Sequence, residues 1–152
     1  MHVNNEIGNV LPLESVAAIC KENNALFHSD TVQSIAYYDI DVKKIGIDFL
    51  SCSAHKFHGP KGVGFLYCDE SHDISAYIKG GNQEKGLRGG TENTTGILGL
   101  EKALSEIKID KENKLKKLSD LKEYLVSKLQ KNNFDFSING NTNASSPAII
   151  NV

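Results

Sequence analysis

Nowhere in the 152 residues is there an apolar run of about 18, so no membrane-spanning helix is expected. The N-terminus, Met1-His2-Val3-Asn4-Asn5-Glu6, lacks a basic region followed by an apolar stretch, and no signal peptide is read there. Cations are not in excess: Lys plus Arg number 17 against 19 Asp plus Glu, a net charge of −2. A phosphate-neutralising surface for nucleic acid is therefore not expected. Cysteines are few, odd in number and irregularly spaced, at Cys20, Cys52 and Cys68. That argues against a disulfide framework and fits a reducing, cytoplasmic setting. Neither G-x-x-x-x-G-K-[ST] nor G-x-G-x-x-G occurs, which leaves nucleotide binding without support.

What is present is an ordinary globular composition, 39% apolar and 24% charged, in a length that suits roughly one domain. Leu13, Val16, Ala17 and Cys20 fall at helical spacing behind Pro12, predicting a helix over 13–23. Short apolar runs predict strands over 25–28, 47–52 and 62–68, the last entered through the Gly59-Pro60-Lys61-Gly62 turn. Residues 31–35 read as a turn or short helix, and 42–45 as a second helical piece. Strands alternating with helices predict an α/β fold with a mainly parallel sheet.

Five glycines crowd residues 80–90, which reads as a loop. Beyond it, Ile97, Leu100, Leu104 and Ile107 form one helical stripe, and Leu115, Leu118, Leu121, Leu125 and Leu129 another. A long connecting helix over 97–131 is expected, kinked near Ile109-Asp110. Two short strands are expected in 134–138 and 148–152, joined by Asn139-Gly140-Asn141. The division expected is 1–96 for the sheet unit, 97–131 for the helix and 132–152 for the start of a small C-terminal α/β unit.

In open α/β sheets, ligands bind beyond the carboxyl ends of the strands. Asp30 lies there after the first strand, and Ser53, His55 and Lys56 after the second. A desolvated lysine loses its proton readily, and its neutral amine can form a Schiff base with an aldehyde. The plainer reading of Lys56 is a solvated residue at a strand exit. Asp30 reads equally as a cap on the following turn or as a carboxylate for a cationic ligand atom. Cys52, His55, His58 and Cys68 are residue types that zinc accepts, but side-chain alternation along a strand does not bring them together, and no metal site is expected. Arg88-Gly89-Gly90-Thr91-Glu92-Asn93 could cradle an anion before a helix start.

Four blocks, in this order, resemble the cysteine desulfurases of the NifS/IscS type, class V aminotransferase-like enzymes that use pyridoxal 5'-phosphate (PLP). They are Met1-His2-Val3-Asn4-Asn5-Glu6-Ile7-Gly8, His28-Ser29-Asp30-Thr31-Val32-Gln33-Ser34, residues 51–64 from Ser51 to Gly64, and Arg88-Gly89-Gly90-Thr91-Glu92-Asn93. The resemblance implies part of the large domain of the PLP-dependent transferases of fold type I. It implies Lys56 as the Schiff-base lysine and proton shuttle. Asp30 would pair with the PLP ring nitrogen, and Gln33 with the ring's phenolic oxygen. Ser53 and His55 would hold the phosphate, Thr91 would reach the phosphate of the partner subunit's site in a homodimer, and Asn5 would lie near the cofactor and the substrate carboxylate.

The implied reaction converts L-cysteine to L-alanine and passes sulfur, as a persulfide, to an iron–sulfur scaffold or a thiolation acceptor. The family's nucleophilic cysteine loop, its ring-stacking histidine and its substrate-binding arginine have no match here. Cys20, Cys52 and Cys68 are read instead as small buried hydrophobes. Met1 coincides with an internal methionine of the family pattern, so a central, inactive fragment is expected. A non-catalytic remnant and another class V aminotransferase are the alternatives.

Overall fold

The computed structural model describes residues 1–152. Its centre is a three-stranded sheet in the order β1 (His28–Asp30), β2 (Phe49–Ser53), β3 (Gly64–Cys68). Helix α1 (Leu13–Glu22) precedes it and the single turn α2 (Val42–Ile45) connects β1 to β2. Helices α3 (Thr94–Ile109) and α4 (Lys111–Lys131) follow.

The sheet is mixed rather than mainly parallel. β1 and β2 run parallel, whereas β2 and β3 are antiparallel. The reason is connection length. A parallel return needs a crossover of a dozen or more residues. Only 54–63 join β2 to β3, and they hold a 3-10 turn, Ala54–Phe57, and the glycine turn. Gly64 permits the close return: a Cβ there would sit 2.2 Å from the Cys52 carbonyl oxygen.

Alternation along the strands divides the sheet into two faces. Leu50 and Cys52 point to one face and are buried. Leu50 joins Leu13, Ala17, Phe27 and Ile47 in one apolar cluster, flanked by Phe65 and Tyr67 of β3. Leu13 and Ala17 are buried and Val16 and Cys20 half-buried, so α1 presents to the sheet the stripe its sequence spacing defines. Glu14 in its first turn and Lys21 in its last suit the helix dipole. Cys52 joins Ala36, Ala54 and Phe57 in a second cluster, which Leu100, Ala103, Leu104 and Ile107 of α3 cover.

The helical region breaks at Asp110, as the stripes predicted. No residue of α4 is fully buried, and Leu121, Tyr124 and Leu125 of its apolar side are exposed. The strands expected in 134–138 and 148–152 do not form. These segments meet through Asn139, whose N–H donates to Asn151 O at 2.9 Å and whose Nδ2 donates to Asn151 Oδ1 at 2.7 Å. An alternating pattern makes a strand only where one face is buried. Phe134 and Val152 are 62% and 57% exposed, and Phe136, Ile138, Ile149 and Ile150 are only half-buried, so burial is too partial to fix a ladder there. Strand β1 also lies later than expected, beginning at His28, with Phe27 serving the core just before it.

Candidate active site

The parallel β1/β2 pair sets Asp30 opposite Ser51. Both strands therefore end on the same edge of the sheet. Asp30, Ser51 and Ser53 share the face opposite Leu50 and Cys52. They are half-buried and face away from both apolar clusters. The chain then turns immediately: Ser53 leads into the 3-10 turn that carries His55 and Lys56. Phe57, 2% exposed, anchors that turn in the core, while His55 and Lys56 are exposed. His58 closes the turn with φ of 67°, in the left-handed region.

The β1 end is tightly determined. Thr31, wholly buried, donates from both N–H and Oγ1 to the Ser51 carbonyl, each at 2.9 Å. Asp30 Oδ1 accepts the Val32 N–H at 2.9 Å, so the cap reading of this residue is correct as far as it goes. Ser34, also fully buried, donates to Thr31 O at 3.2 Å. Gln33 is half-buried on the same turn. Next to it, the His2 N–H donates to Asp30 O at 2.8 Å, which ties the N-terminal hairpin to the end of β1. That hairpin carries Asn5 on the turn at its tip. Asn4 Oδ1 shapes the turn by accepting from Glu6 N and Ile7 N. Asn5 is exposed, its Nδ2 donating to Glu6 Oε1 at 2.6 Å.

The structure thus brings Asp30, Gln33, Ser53, His55 and Lys56 to one sheet edge and hydrogen-bonds the Asn5 hairpin to it. Thr91 is exposed on the loop before α3, and no hydrogen bond ties it to that edge. Lys56 is exposed rather than desolvated. Cys52 and Cys68 do not converge with the histidines: Cys52 is buried against the core, and Cys68 sits opposite Phe49 at the far end of β2. Of the three cysteines only Cys52 is fully buried; Cys20 and Cys68 are half-buried. Burial pushes the Cys52 thiol up to about 11, with Asp30 adding to the rise.

Sequence reasoning missed His2, Thr31 and Ser34 as determinants of this edge. His2 is 6% exposed and its ring lies against Tyr38, centroids 5.0 Å apart. Desolvation holds its pKa below the ordinary histidine range. The signal available was the run of small hydroxyl residues flanking Asp30, which a helix or strand period cannot explain. Two clefts of the molecule lie elsewhere. One of about 480 Å³ opens between α4 and the turn after β1, lined by Tyr37, Phe57, Ile107, Leu115 and Leu118. Another of about 430 Å³ includes Lys122, Asn139 and Ser145.

As chemistry, the edge offers a carboxylate for a cation, a hydroxyl and an imidazole for an anion, and a primary amine on a short turn beside them. Those donor types fit PLP, whose ring nitrogen is cationic, whose phosphate is anionic and whose aldehyde takes an amine.

The class V aminotransferase family model matches residues 1–152. The chain is 41% identical over 140 residues to the cysteine desulfurase IscS of Dictyoglomus turgidum, covering 92% of this chain and 36% of that protein. It superposes on the NifS-like protein from Rickettsia africae with a TM-score of 0.91 at 34% identity, covering 96% of this chain and 40% of the other. A structure of SspA in complex with cysteine matches with a TM-score of 0.66 at 46% identity over 68% of this chain and 30% of the other. The chain thus spans about two-fifths or less of the length of these relatives. Its architecture is that of the NifS-like proteins, within fold type I of the PLP-dependent transferases.

Proposed function

The chain belongs to the class V aminotransferase family, and on that premise we propose that it is the lysine-bearing core of a PLP-dependent cysteine desulfurase. The observation that carries this reading is the meeting of Asp30, Ser53 and Lys56 at one edge through the β1/β2 register and the turn after Ser53. The cysteine desulfurase relatives and the cysteine-bound SspA structure support L-cysteine as the substrate.

When bound, PLP supplies an electron sink for charge developing at an amino acid's Cα. The chain's own residues then have separate duties. Lys56 Nζ holds the cofactor and moves the proton at Cα. Asp30, whose Oδ1 already accepts the Val32 N–H, would keep a proton on the ring nitrogen. Ser53 Oγ and the His55 ring hold the phosphate, and Gln33 donates to the phenolic oxygen. Asn5 would lie near the cofactor and the substrate carboxylate. Thr91, on its exposed loop, reaches the phosphate of a partner subunit's site in a homodimer.

In the whole enzyme a cysteine thiolate from outside these residues would attack the substrate sulfur, the C–S bond breaking as alanine leaves. The resulting persulfide would pass its outer sulfur to an iron–sulfur scaffold or thiolation acceptor, in a cytoplasmic setting that keeps thiols reduced. The three cysteines of this chain do not suit the nucleophile's part. Sulfur attack needs a thiolate on a mobile, accessible segment. Cys52 is buried in β2 with a raised pKa, and Cys20 and Cys68 lie on α1 and β3. These 152 residues by themselves are therefore proposed to bind PLP without transferring sulfur.

The test is a PLP titration followed by borohydride reduction and peptide mapping. The label is expected on Lys56. Label on Lys61, or retention of the yellow complex in Lys56→Arg, would remove the assignment.

A further inference from the structure

The segment from Asn141 to Asn151 belongs to no sheet, yet it is gripped from both sides. On one side stands Lys122 of α4. Its Nζ donates to Ser145 Oγ at 2.8 Å, to Ser146 O at 2.9 Å and to Ile149 O at 2.8 Å. An ammonium has three donors, so all are spent within five residues of this segment. On the other side is the N-terminal hairpin that carries Asn5. The Ser146 N–H donates to Gly8 O at 2.8 Å, and the Val10 N–H to Ala144 O at 2.9 Å. Asn151 Nδ2 donates to Glu6 O at 3.3 Å, and the Asn141 N–H to Asn9 Oδ1 at 2.7 Å.

The fit between the two is close. Gly8 has φ of 74°, and a Cβ there would lie 3.1 Å from Ser145 Oγ and 3.2 Å from Ile149 O. These are two of the three atoms that Lys122 holds. The Asn4–Gly8 turn therefore rests directly on the acceptors of the lysine. Residues 145–149 belong to no helix, and their one ladder contact is the isolated Asn9–Ser145 antiparallel bridge to the hairpin, so the ammonium is the main fixture on the α4 side.

We propose that Lys122 is a positioning residue for Asn5: by gripping 145–149 it sets the Asn4–Gly8 turn and thereby the site's affinity for an amino-acid carboxylate. The carboxylate part rests on the function proposed above; the coupling of Lys122 to the turn stands without it.

Hydrogen exchange of the whole chain, read by mass spectrometry, tests the coupling. In Lys122→Met, exchange is expected to rise about tenfold or more both in 141–151 and in 4–10, with β2 and β3 unchanged. Lys122→Arg should restore much of the protection, because a guanidinium still donates to carbonyls. A rise confined to 141–151, with 4–10 at the wild-type rate, overturns the proposal. Should Lys122→Met lose the protection of β2 and β3 as well, Ser145→Ala decides instead. It removes one acceptor, and a smaller rise in both segments supports the coupling while a rise in 141–151 alone overturns it.

For the carboxylate, L-alanine is titrated into the PLP-loaded chain and followed by the cofactor's absorbance. The half-saturating alanine concentration should rise about fivefold or more in Lys122→Met and fall back in Lys122→Arg. The half-saturating PLP concentration should stay constant. Equal alanine affinities in wild type and Lys122→Met overturn the carboxylate part. A wild-type chain that takes up no PLP removes the proposed function and leaves the exchange result to decide the coupling alone.

Discussion

His72 Nε2 donates to Asp48 Oδ1 at 2.6 Å, across the gap between the turn after β3 and the start of β2. The other oxygen, Asp48 Oδ2, accepts the Phe27 N–H at 2.7 Å, and the His72 ring stacks on Phe49 with centroids 5.4 Å apart. One carboxylate thus ties three stretches of chain together at the opposite end of the sheet from the candidate site. The Phe27 N–H and the His72 bond hold its pKa below the usual aspartate value.

A depressed carboxylate contributes stability that is present above its unfolded pKa and lost as pH falls through its folded one. The chain should therefore lose urea resistance as pH drops below about 4, the ordinary aspartate range. In Asp48→Asn that part of the acid dependence should be absent, while stability near neutrality falls. Urea midpoints measured across this range check it. Parallel curves for the two proteins would show that Asp48 contributes nothing to the acid limb.

Asp30 should separate its two roles on substitution. In Asp30→Asn an amide oxygen can still accept the Val32 N–H, so the urea midpoint should barely move. The charge for the PLP ring nitrogen is lost. A hydrogen bond to a charged group contributes about 1.5–3 kcal/mol, so PLP binding should weaken by about tenfold or more. Unchanged PLP affinity, read by spectrophotometric titration, would reduce Asp30 to a cap.

Phe57 should matter to stability more than either neighbour on its turn. Its side chain fills the cluster of Ala36, Cys52 and Ala54, whereas His55 and Lys56 are exposed. Phe57→Ala should cost about 3–5 kcal/mol, the usual range for deleting a buried aromatic. Lys56→Arg and His55→Asn should each stay within about 0.5 kcal/mol, as exposed substitutions do. Urea denaturation of the three variants gives the comparison.

Sulfide and alanine release from L-cysteine, assayed with PLP and a reductant, should not depend on the chain's cysteines. A variant lacking Cys20, Cys52 and Cys68 is expected to match the wild type at the level of PLP side chemistry. Release that disappears with one of the three would place the nucleophile there and contradict the argument from burial in β2.

The open faces should also show in solution. Leu66 on the uncovered side of the sheet is 56% exposed, and Leu121, Tyr124 and Leu125 line an uncovered face of α4. Exposed apolar surface favours association where it is contiguous, as Leu121, Tyr124 and Leu125 are by their i, i+3, i+4 spacing on α4. Light scattering should show concentration-dependent association, reduced by Leu66→Ser and Tyr124→Ser together. A monomer at all concentrations would mean these faces are too broken up to pair.

The residue order by itself determined the helices and nominated the residues of the candidate site. The spacing of Leu13, Val16, Ala17 and Cys20 defines the buried stripe of α1, and the break at Asp110 is visible between two leucine stripes. Asp30, Ser53, His55 and Lys56 stand out because charged and hydroxyl groups follow short apolar runs. Such features are local, and local preferences are written in neighbouring residues. What only the tertiary structure decided are the non-local matters. The register that sets Asp30 opposite Ser51, the antiparallel return of β3, the irregular path of 134–152 and the bond from Lys122 to Ile149 all depend on pairing between distant segments. An alternating pattern such as Phe134 to Ile138 states a preference for a half-buried strand. Whether a face exists to bury it depends on what else packs there, and here Phe134 stays exposed while Phe136 and Ile138 are only half-buried.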